Sequence, residues 1–339
     1  MASSGIEPAM ERRRVTIHDV ARSAGVSRQT VSRALNDKAE IDGATKQRVL
    51  DAARELDYRP SRFARGLVRQ DTTSIGLVIP DLRNPFFTEV AASALQAARE
   101  RGWHVVVYDT ADSAEQELGT LRVIGSQVDA IVGYLSRPEE DLDRYAPGIP
   151  VVFIDREPSN PRFSSIRVDG EDGVRQAIAH LVAAGHRRIG MLDHNRRPEP
   201  SVRHGWFAAA VAAHGLAPAD TPVVGAAQSV DGGERALGTL LAAHPELTAV
   251  FTFNDLIAIG ALRHARRAGL RVPADLAVVG FDGLDLGSIV EPALTSVAID
   301  TQRLGALAIE QVGRLLTGAP PLGAEQLTVR ATLRPRSSG

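Results

Sequence analysis

The stretch SRQTVSRALN, residues 27–36, carries many hydrogen-bonding side chains and few apolar ones. Val31, Ala34 and Leu35 repeat at the i, i+3, i+4 spacing of one narrow helix face. An arginine can bind O6 and N7 of guanine as a fork, a glutamine can bind adenine, and hydroxyl groups and a helix N-terminus suit phosphates. The residues with this chemistry are Ser27, Arg28, Gln29, Thr30, Ser32 and Arg33. The stretch therefore predicts a short helix that buries one edge and presents the rest to a groove.

Two further helices must hold this helix in place. Thr16 can cap a first helix, with Asp19 three residues later as its capping-box-like partner. Gly25 lies where the chain must reverse, since glycine takes positive φ at little cost, and Ser27 can cap the second helix. A third helix is predicted over residues 44–56. The apolar positions that can form a shared core are Ile17, Val20, Ala21, Val31, Ala34, Leu35, Val49, Leu50, Ala53 and Leu56.

Charge is distributed unevenly along the chain. Residues 11–70 contain 14 Lys and Arg against 8 Asp and Glu, whereas the whole chain carries a net charge of −2. A basic head on an acidic body indicates a polyanionic partner for the head alone. A solvated basic surface and an ordinary helical hairpin with a polar face are the plainer alternatives. The spacing of Ala21, Gly25 and Val31, together with the charge, favours a DNA-binding head.

The composition excludes several classes of site. The chain has no cysteine, which removes disulfides, thiolate zinc sites, iron–sulfur clusters and cysteine nucleophiles. Lys38 and Lys46 are the only lysines, so the body has none for a Walker-type phosphate loop or a Schiff base. No apolar run is long enough for a membrane helix, and MASSGIEPAMERRR has no apolar core of a secretion signal. We expect a cytoplasmic protein with no cofactor and no metal site.

From residue 74 onwards, short apolar runs such as SIGLVIPD, HVVVYDT and LAVVGFD alternate with helical stretches such as EVAASALQAARERG. This alternation predicts an α/β body of parallel sheets covered by helices, and two such units are more plausible than one large sheet. Polar residues follow many of the strands, where ligands of open parallel sheets bind. Each of them alone is more readily a helix cap, but seven over two units favour a cleft for sugar-like hydroxyls: Asp81, Asp109, Asp155, Asp169, Asp193, Asn254 and Asp282.

The segments TIHDVARSAGVSRQTVSRALN and RVLDAARELDYRPSRFARGL resemble the N-terminus of the lactose-repressor (LacI/GalR) family of bacterial transcription regulators, and the resemblance continues through most of the chain. It implies a helix-turn-helix headpiece over 15–59, a hinge helix over 60–73, and an effector-binding and dimerisation domain over 74–339; residues 1–14, which lack an apolar core, are expected to be a disordered tail. That domain resembles two-lobed periplasmic sugar-binding proteins. Lobe 1 is expected over about 74–170 and 301–326, and lobe 2 over about 171–300 and 327–339.

The hinge segment, RPSRFARGLVRQDTT, can form only a short basic helix, which is too short to be stable by itself in water. The resemblance implies that this helix folds on operator DNA and that Arg62, Ala64 and Leu67 contact the DNA. By position, Leu67 is the leucine that wedges into the minor groove and bends the duplex. The alternative is a flexible linker whose Leu67 packs on the body.

The same resemblance assigns the cleft. The loop DLRNPFFTEV provides ring-stacking faces, FIDRE and VVGFDGLDLG provide carboxylates, and SVRHGWF provides an arginine. The sequence departs from the family pattern at Gly170, where asparagine is usual, and at Trp206, where glycine is usual. Arg196 and Arg197 have no standard counterpart; they indicate either an anionic effector or a solvated loop. The implied effector residues are Phe86, Phe87, Asp155, Asp169, Arg203, Asn254 and Asp282.

These features predict a DNA-binding transcription regulator, a homodimer or tetramer on a pseudo-palindromic operator, controlled by a sugar or sugar derivative. Two other classes compete with it. A solute-binding protein would need an export signal and no basic head. A sugar-modifying enzyme could use two cleft carboxylates as a glycosidase pair, but no nucleophile–base pair stands out. The sequence of the head disfavours both alternatives.

Overall fold

A computed structural model describes residues 17–35, 41–56, 72–160, 163–195, 199–319 and 322–339, and the chain divides into two compact units, 1–72 and 73–339. The predicted DNA-contacting residues Thr16, Arg62, Ala64 and Leu67 lie outside the described residues, as do Arg196 and Arg197. No helix in the described ranges is both long enough and apolar enough to span a membrane.

The first unit consists of three helices, α1 (Ile17–Ala24), α2 (Arg28–Leu35) and α3 (Gly43–Glu55). Gly25 has a φ of 66° at the turn between α1 and α2, and the Val26 N–H donates to the Ala21 carbonyl at 3.1 Å. The Asp42 carboxylate accepts the N–H groups of Ala44 and Thr45, and so caps α3.

Among the side chains that the structure describes, small ones dominate the core of this unit, which lets the three helices pack closely. The predicted Leu50 is only half-buried, and alanines on α1 and α3 take a larger part in the core than the apolar pattern indicated. The buried residues are Val20, Ala21, Ala24, Val31, Ala34, Val49, Ala52 and Ala53.

The second unit contains two six-stranded sheets. The strands of the first sheet are β1 (Ser74–Ile79), β2 (His104–Asp109), β3 (Ala130–Gly133), β4 (Val151–Ile154), β5 (Ser164–Asp169) and β11 (Thr328–Arg330). They lie in the order β11-β5-β4-β3-β1-β2, and all neighbouring pairs are parallel. The strands of the second sheet are β6 (Ile189–His194), β7 (Val223–Ala226), β8 (Ala249–Thr252), β9 (Ala277–Asp282), β10 (Thr295–Ala298) and β12 (Thr332–Arg334). They lie in the order β12-β10-β9-β8-β6-β7. Only β12 runs antiparallel to its neighbour.

Helices connect the strands of each lobe, as α/β alternation requires. Those between the strands of the first sheet are α4 (Pro85–Glu100), α5 (Ala114–Ile124) and α6 (Glu139–Tyr145). The remaining helices are α7 (Glu171–Ala183), α8 (Val202–Ala213), α9 (Val230–Ala243), α10 (Asp255–Arg267), α11 (Leu286–Ile289) and α12 (Thr301–Leu316). Helix α12 packs on α4 and on the first sheet, so the chain returns to lobe 1 after β10.

The chain crosses between the sheets after β5, after β10 and after β11. At the last crossing, Thr328 pairs with Arg167 in the first sheet, and the Ala331 N–H donates to the Asp169 carbonyl at 2.9 Å. The predicted boundary at residue 327 is therefore placed too early, because β11 still belongs to the first sheet and the chain enters the second at Thr332.

Both sheets share one winding. The chain moves outward from the first strand to the second and then continues on the other side of the first strand, which puts a switch point between β1 and β3 and another between β6 and β8. In such sheets, ligands bind in the crevice beyond the carboxyl ends of the strands at the switch point. The predicted α/β class is confirmed, and the topology locates where a ligand is expected in each lobe.

Candidate functional site

Helix α2 has the two faces that its sequence predicts. Val31 and Ala34 are buried in the core of the first unit, whereas Arg28, Gln29 and Arg33 are exposed. The Ser27 hydroxyl accepts the Thr30 N–H at 3.1 Å, so it caps the helix as expected. Four of the predicted DNA-contacting residues of α2 have described side chains. Arg28, Gln29 and Arg33 are exposed on the polar face, and Thr30 is half-buried. The Ser32 side chain lies outside the described part of the chain.

A cleft of about 570 Å³ lies beyond the carboxyl ends of the strands and is lined by residues of both lobes. Six of the seven predicted effector residues line it: Phe86, Phe87, Asp155, Arg203, Asn254 and Asp282. The seventh, Asp169, lines an adjoining compartment. The residues predicted from separate motifs are thus close together, and their contact with an effector stays a prediction.

Arg203, in the first turn of α8, is held from several directions. Its Nη1 donates to the Phe253 carbonyl at 2.5 Å, and its Nη2 lies 3.7 Å from the Asp282 carboxylate. The guanidinium carbon is 4.3 Å from the centroid of the Phe253 ring and 3.8 Å from that of Phe281. Stacking on two rings fixes the plane of the guanidinium and so presents its donors in one orientation.

Two carboxyl groups face this arginine from different lobes. Asp155 follows β4 with a φ of 57°, and Asp282 ends β9 with a φ of 119°. Burial raises the pKa of Asp155, while the charge of Arg203 acts in the opposite direction. Burial also raises the pKa of Asp282 well above its ordinary value, and the charge of Arg203 again acts in the opposite direction. Carboxyl oxygens accept hydrogen bonds, which suits ligand hydroxyls.

A third acid, Asp255, lies behind Asp282 and does not line the cleft. It accepts the Leu284 N–H at 2.7 Å and the Ser296 hydroxyl at 2.6 Å, and burial raises its pKa to about 7. Asp255 is the first residue of α10 but does not cap it. The cap is Asn254, whose Oδ1 accepts the Ile257 N–H at 3.0 Å.

The capping role bears on Asn254 as an effector residue. Besides its use of Oδ1 at the helix, its Nδ2 donates to Gln228 at 3.3 Å, and the residue is 1% exposed. Both polar atoms of Asn254 are therefore used inside lobe 2. Direct contact of this side chain with an effector would require these hydrogen bonds to rearrange.

Tyr134, just after β3, is a cleft residue that the sequence reasoning missed. Its ring lies 5.0 Å from that of Phe87 and 6.3 Å from that of Phe86, in edge-to-face geometry. Its hydroxyl is buried and has no hydrogen-bond partner among the described residues. Burial, with the nearby charges of Asp155 and Asp282, raises its pKa well above the ordinary value. A buried hydroxyl without a partner is a hydrogen-bonding group for a ligand. The same strand-end rule finds Tyr134 if aromatic hydroxyls are counted as polar.

The adjoining compartment, of about 730 Å³, shares Asp155 and Arg203 with the cleft and also contains Asp169 and Trp206. Across the described ranges, no group of three or more His, Cys, Asp or Glu side chains is placed to hold a metal ion. The arrangement of fixed donors, acceptors and aromatic rings suits a ring-shaped ligand with several hydroxyl groups.

Comparison with known proteins agrees with this geometry. Residues 16–61 match the bacterial regulatory proteins of the lacI family, and residues 178–339 match the periplasmic binding protein-like domain. Catabolite control protein A of Priestia megaterium is 32% identical, over 89% of this chain and 92% of that protein.

Two solved structures resemble the chain closely. A LacI family transcriptional regulator from Arthrobacter sp. FB24, in complex with lactose, has a TM-score of 0.72 and 31% identity, over 79% of this chain and 99% of that chain. The lac repressor dimer bound to operator and the anti-inducer ONPF has a TM-score of 0.71 and 27% identity, over 96% of this chain and 99% of that chain. The resemblance stated from the motifs is thus confirmed: the chain belongs to the lacI family of bacterial regulatory proteins, which are DNA-binding transcription regulators.

Proposed function

We propose that this regulator is a repressor that binds a pseudo-palindromic operator as a homodimer, and that a neutral carbohydrate in the cleft between its lobes sets its operator affinity. The observation that carries the proposal is Arg203, which is stacked on Phe253 and Phe281 and lies between carboxyl groups of both lobes. A ligand that binds these groups contacts both lobes at once.

On the DNA side, the proposal rests on the exposed face of α2. Arg28 and Gln29 lie in its first turn, the part of a recognition helix that contacts base edges. Ser27 and Thr30, with Ser32, suit phosphates, and Arg33 lies one turn further along the helix. Thr16 and the hinge residues Arg62, Ala64 and Leu67 are proposed to contact the DNA on the resemblance alone.

The charges around the cleft support a neutral effector over an anionic one. The described residues that line it include four carboxyl side chains, Asp112, Glu117, Asp155 and Asp282, and two guanidinium groups, Arg156 and Arg203. Arg156 donates to the carbonyls of Leu135 and Arg137 at 3.0 and 2.6 Å, and Arg203 is held as described above. Carboxyl groups thus outnumber guanidinium groups two to one along the cleft, which disfavours an anionic ligand such as a phosphate.

The apolar part of the cleft suits a sugar ring. Phe86, Phe87 and Tyr134 form one aromatic cluster on lobe 1, and aromatic faces pack on the C–H faces of sugars. The lactose complex of the Arthrobacter regulator supports a carbohydrate here. Effector control then follows from linkage, because a ligand that binds one of two conformations more tightly shifts the protein towards that conformation and so changes its affinity for DNA.

The test uses a duplex selected by the full-length protein from a random library, with fluorescence anisotropy as the readout and mono- and disaccharides as additives. We expect at least one sugar to change the affinity for the selected duplex. Arg203→Lys retains the charge but loses the planar fork, so it should weaken the sugar response at least tenfold and leave affinity in the absence of sugar within about threefold. Arg187→Lys, which is exposed and outside the cleft, is the matched control. An unchanged sugar response in Arg203→Lys would contradict the proposed site.

A further inference from the structure

The cleft adjoins the second compartment at Arg203. The two compartments share five lining residues: Asp155, Arg156, Val168, Arg203 and Phe253. Each volume alone, about 570 and about 730 Å³, falls within the range of about 300–1,000 Å³ that is usual for small-molecule sites. A ligand of one ring would leave the other compartment to water.

Trp206 on α8 lines the second compartment. The residue is half-buried and packs on the main hydrophobic core. A Cβ added to Gly170 would lie 2.7 Å from Cζ3 of Trp206 and 2.7 Å from Cζ of Phe281, closer than a real contact allows. Gly170 therefore leaves the space that the indole occupies. The two departures from the family pattern, at positions 170 and 206, are one structural change: a side chain is removed at one position and an indole is placed at the other.

The polar residues around this indole balance in charge. Among the described residues, the second compartment is lined by the carboxyl groups of Asp155, Glu157, Asp169 and Glu325 and by the guanidinium groups of Arg156, Arg167, Arg203 and Arg330. His194 also lines it and packs edge-to-face on Phe253, with ring centroids 4.7 Å apart. An aromatic plane beside hydrogen-bond donors and acceptors without excess charge suits a second neutral sugar ring.

We propose that the effector is a glycoside of at least two rings, with one ring beside Phe86 and Phe87 and the next on Trp206. Trp206 then determines the preference for a disaccharide over its component monosaccharides. This inference rests on the proposed carbohydrate effector and adds to it the length of the ligand and the residue that selects it.

The chain has two tryptophans, so the inference can be tested by fluorescence. Trp103 packs against Gly313 on α12 and lines neither compartment. The full-length Trp103→Phe variant reports on Trp206 alone, and Trp206→Phe reports on Trp103 alone. Both are titrated with cellobiose, lactose and maltose and with glucose and galactose. We expect a disaccharide to shift or quench the emission of Trp206 and to leave that of Trp103 unchanged.

Calorimetry of the wild type, Trp206→Ala and Trp206→Phe completes the test, with circular dichroism to verify folding. The disaccharide should bind the wild type at least tenfold more tightly than its monosaccharides. Trp206→Ala should lower disaccharide affinity about tenfold and change monosaccharide affinity less than twofold, and Trp206→Phe should lie between wild type and Trp206→Ala. Equal losses for both ligand lengths, or a bound disaccharide that leaves Trp206 emission unchanged, would overturn the inference while the single-ring cleft stands. If no sugar of either length binds the wild type, the carbohydrate effector itself is wrong.

Discussion

The Tyr134 hydroxyl is buried in the cleft without a partner among the described residues, so its removal breaks no hydrogen bond to them. We expect Tyr134→Phe to leave the free energy of unfolding unchanged or to raise it by up to about 1 kcal/mol. The same change should lower the affinity for the most tightly binding sugar about tenfold, since the hydrogen bond is made only in the complex. Urea unfolding and calorimetry measure the two effects.

Tyr145→Phe is the control for this prediction, because Tyr145 packs between Arg122 and Arg144 and does not line the cleft. It should change sugar affinity less than twofold. A Tyr134→Phe variant that loses stability but binds sugar normally would show that the hydroxyl has a structural partner instead.

Asp255 predicts a pH dependence of stability. Its pKa is raised from 3.8 to about 7 in the folded state by burial, so the folded protein retains a proton that the unfolded chain has lost. This contribution to stability is present below about pH 4 and is lost as the pH rises through about 7, by up to about 1.4 kcal/mol per pH unit. The charge of Arg336 acts on the pKa of Asp255 in the opposite direction, and the charge of Asp255 in turn raises the pKa of Asp282.

In Asp255→Asn, the fall in unfolding free energy between pH 4 and pH 7 should therefore be shallower than in the wild type. Urea unfolding followed by tryptophan emission across this range provides the measurement. Asp275→Asn is the control, because Asp275 is paired with Arg271 at the surface and its pKa is lowered to about 2. Parallel pH profiles for the wild type and Asp255→Asn would contradict the assignment.

Single residues also show what the strand-end rule can and cannot predict. It collects Asp155, Asn254 and Asp282 at one cleft because the carboxyl ends of parallel strands share an edge. It cannot show which of the strand-end side chains form hydrogen bonds with the loops. Asp109 accepts the N–H groups of neighbouring loops, and Asp193 accepts that of Ser201 at 3.0 Å. Those hydrogen bonds depend on loop conformations that strand periodicity does not encode.

Among the elements, helix α2 makes the sharpest prediction. Arg28→Ala should relax base preference at one position of each half-site, at a cost of about 1–3 kcal/mol for the preferred base. Binding to a library of single-base operator variants measures this directly. Arg22→Ala, an exposed change on α1, should alter affinity uniformly across the library if it alters affinity at all. An Arg28→Ala profile parallel to that of the wild type would remove its role in base recognition.

The helices of the headpiece were predictable because caps and apolar spacing are local signals. The third helix, predicted over 44–56, spans Gly43–Glu55. The residue at which the chain crosses back to lobe 2 was not predictable, since LTVRATLR alternates as if it were one strand. Only pairing with β5 before Ala331 and with β10 after it divides this segment into β11 and β12. Such pairing depends on partners more than 30 residues away in the chain.

For the whole molecule, the sequence was sufficient to predict the family and the α/β class, because the headpiece motif and the strand–helix alternation extend over most of the chain. It was not sufficient to predict the form of the cleft. The fit of Trp206 over Gly170 and the unpartnered Tyr134 hydroxyl arise only when distant segments fold together. The net charge of −2 likewise conceals a basic head, whose excess of cations predicts salt-sensitive binding to DNA.

The most direct measurement is the equilibrium affinity of the full-length protein for its selected duplex and for random duplex, between about 50 and 200 mM salt, with and without sugar. We predict a preference for the selected duplex of about a thousandfold or more, an affinity that falls steeply as salt rises, and a change in affinity when the cleft binds its sugar. Equal affinity for both duplexes at every salt concentration, whatever sugar is added, would contradict a DNA-reading headpiece controlled by the cleft.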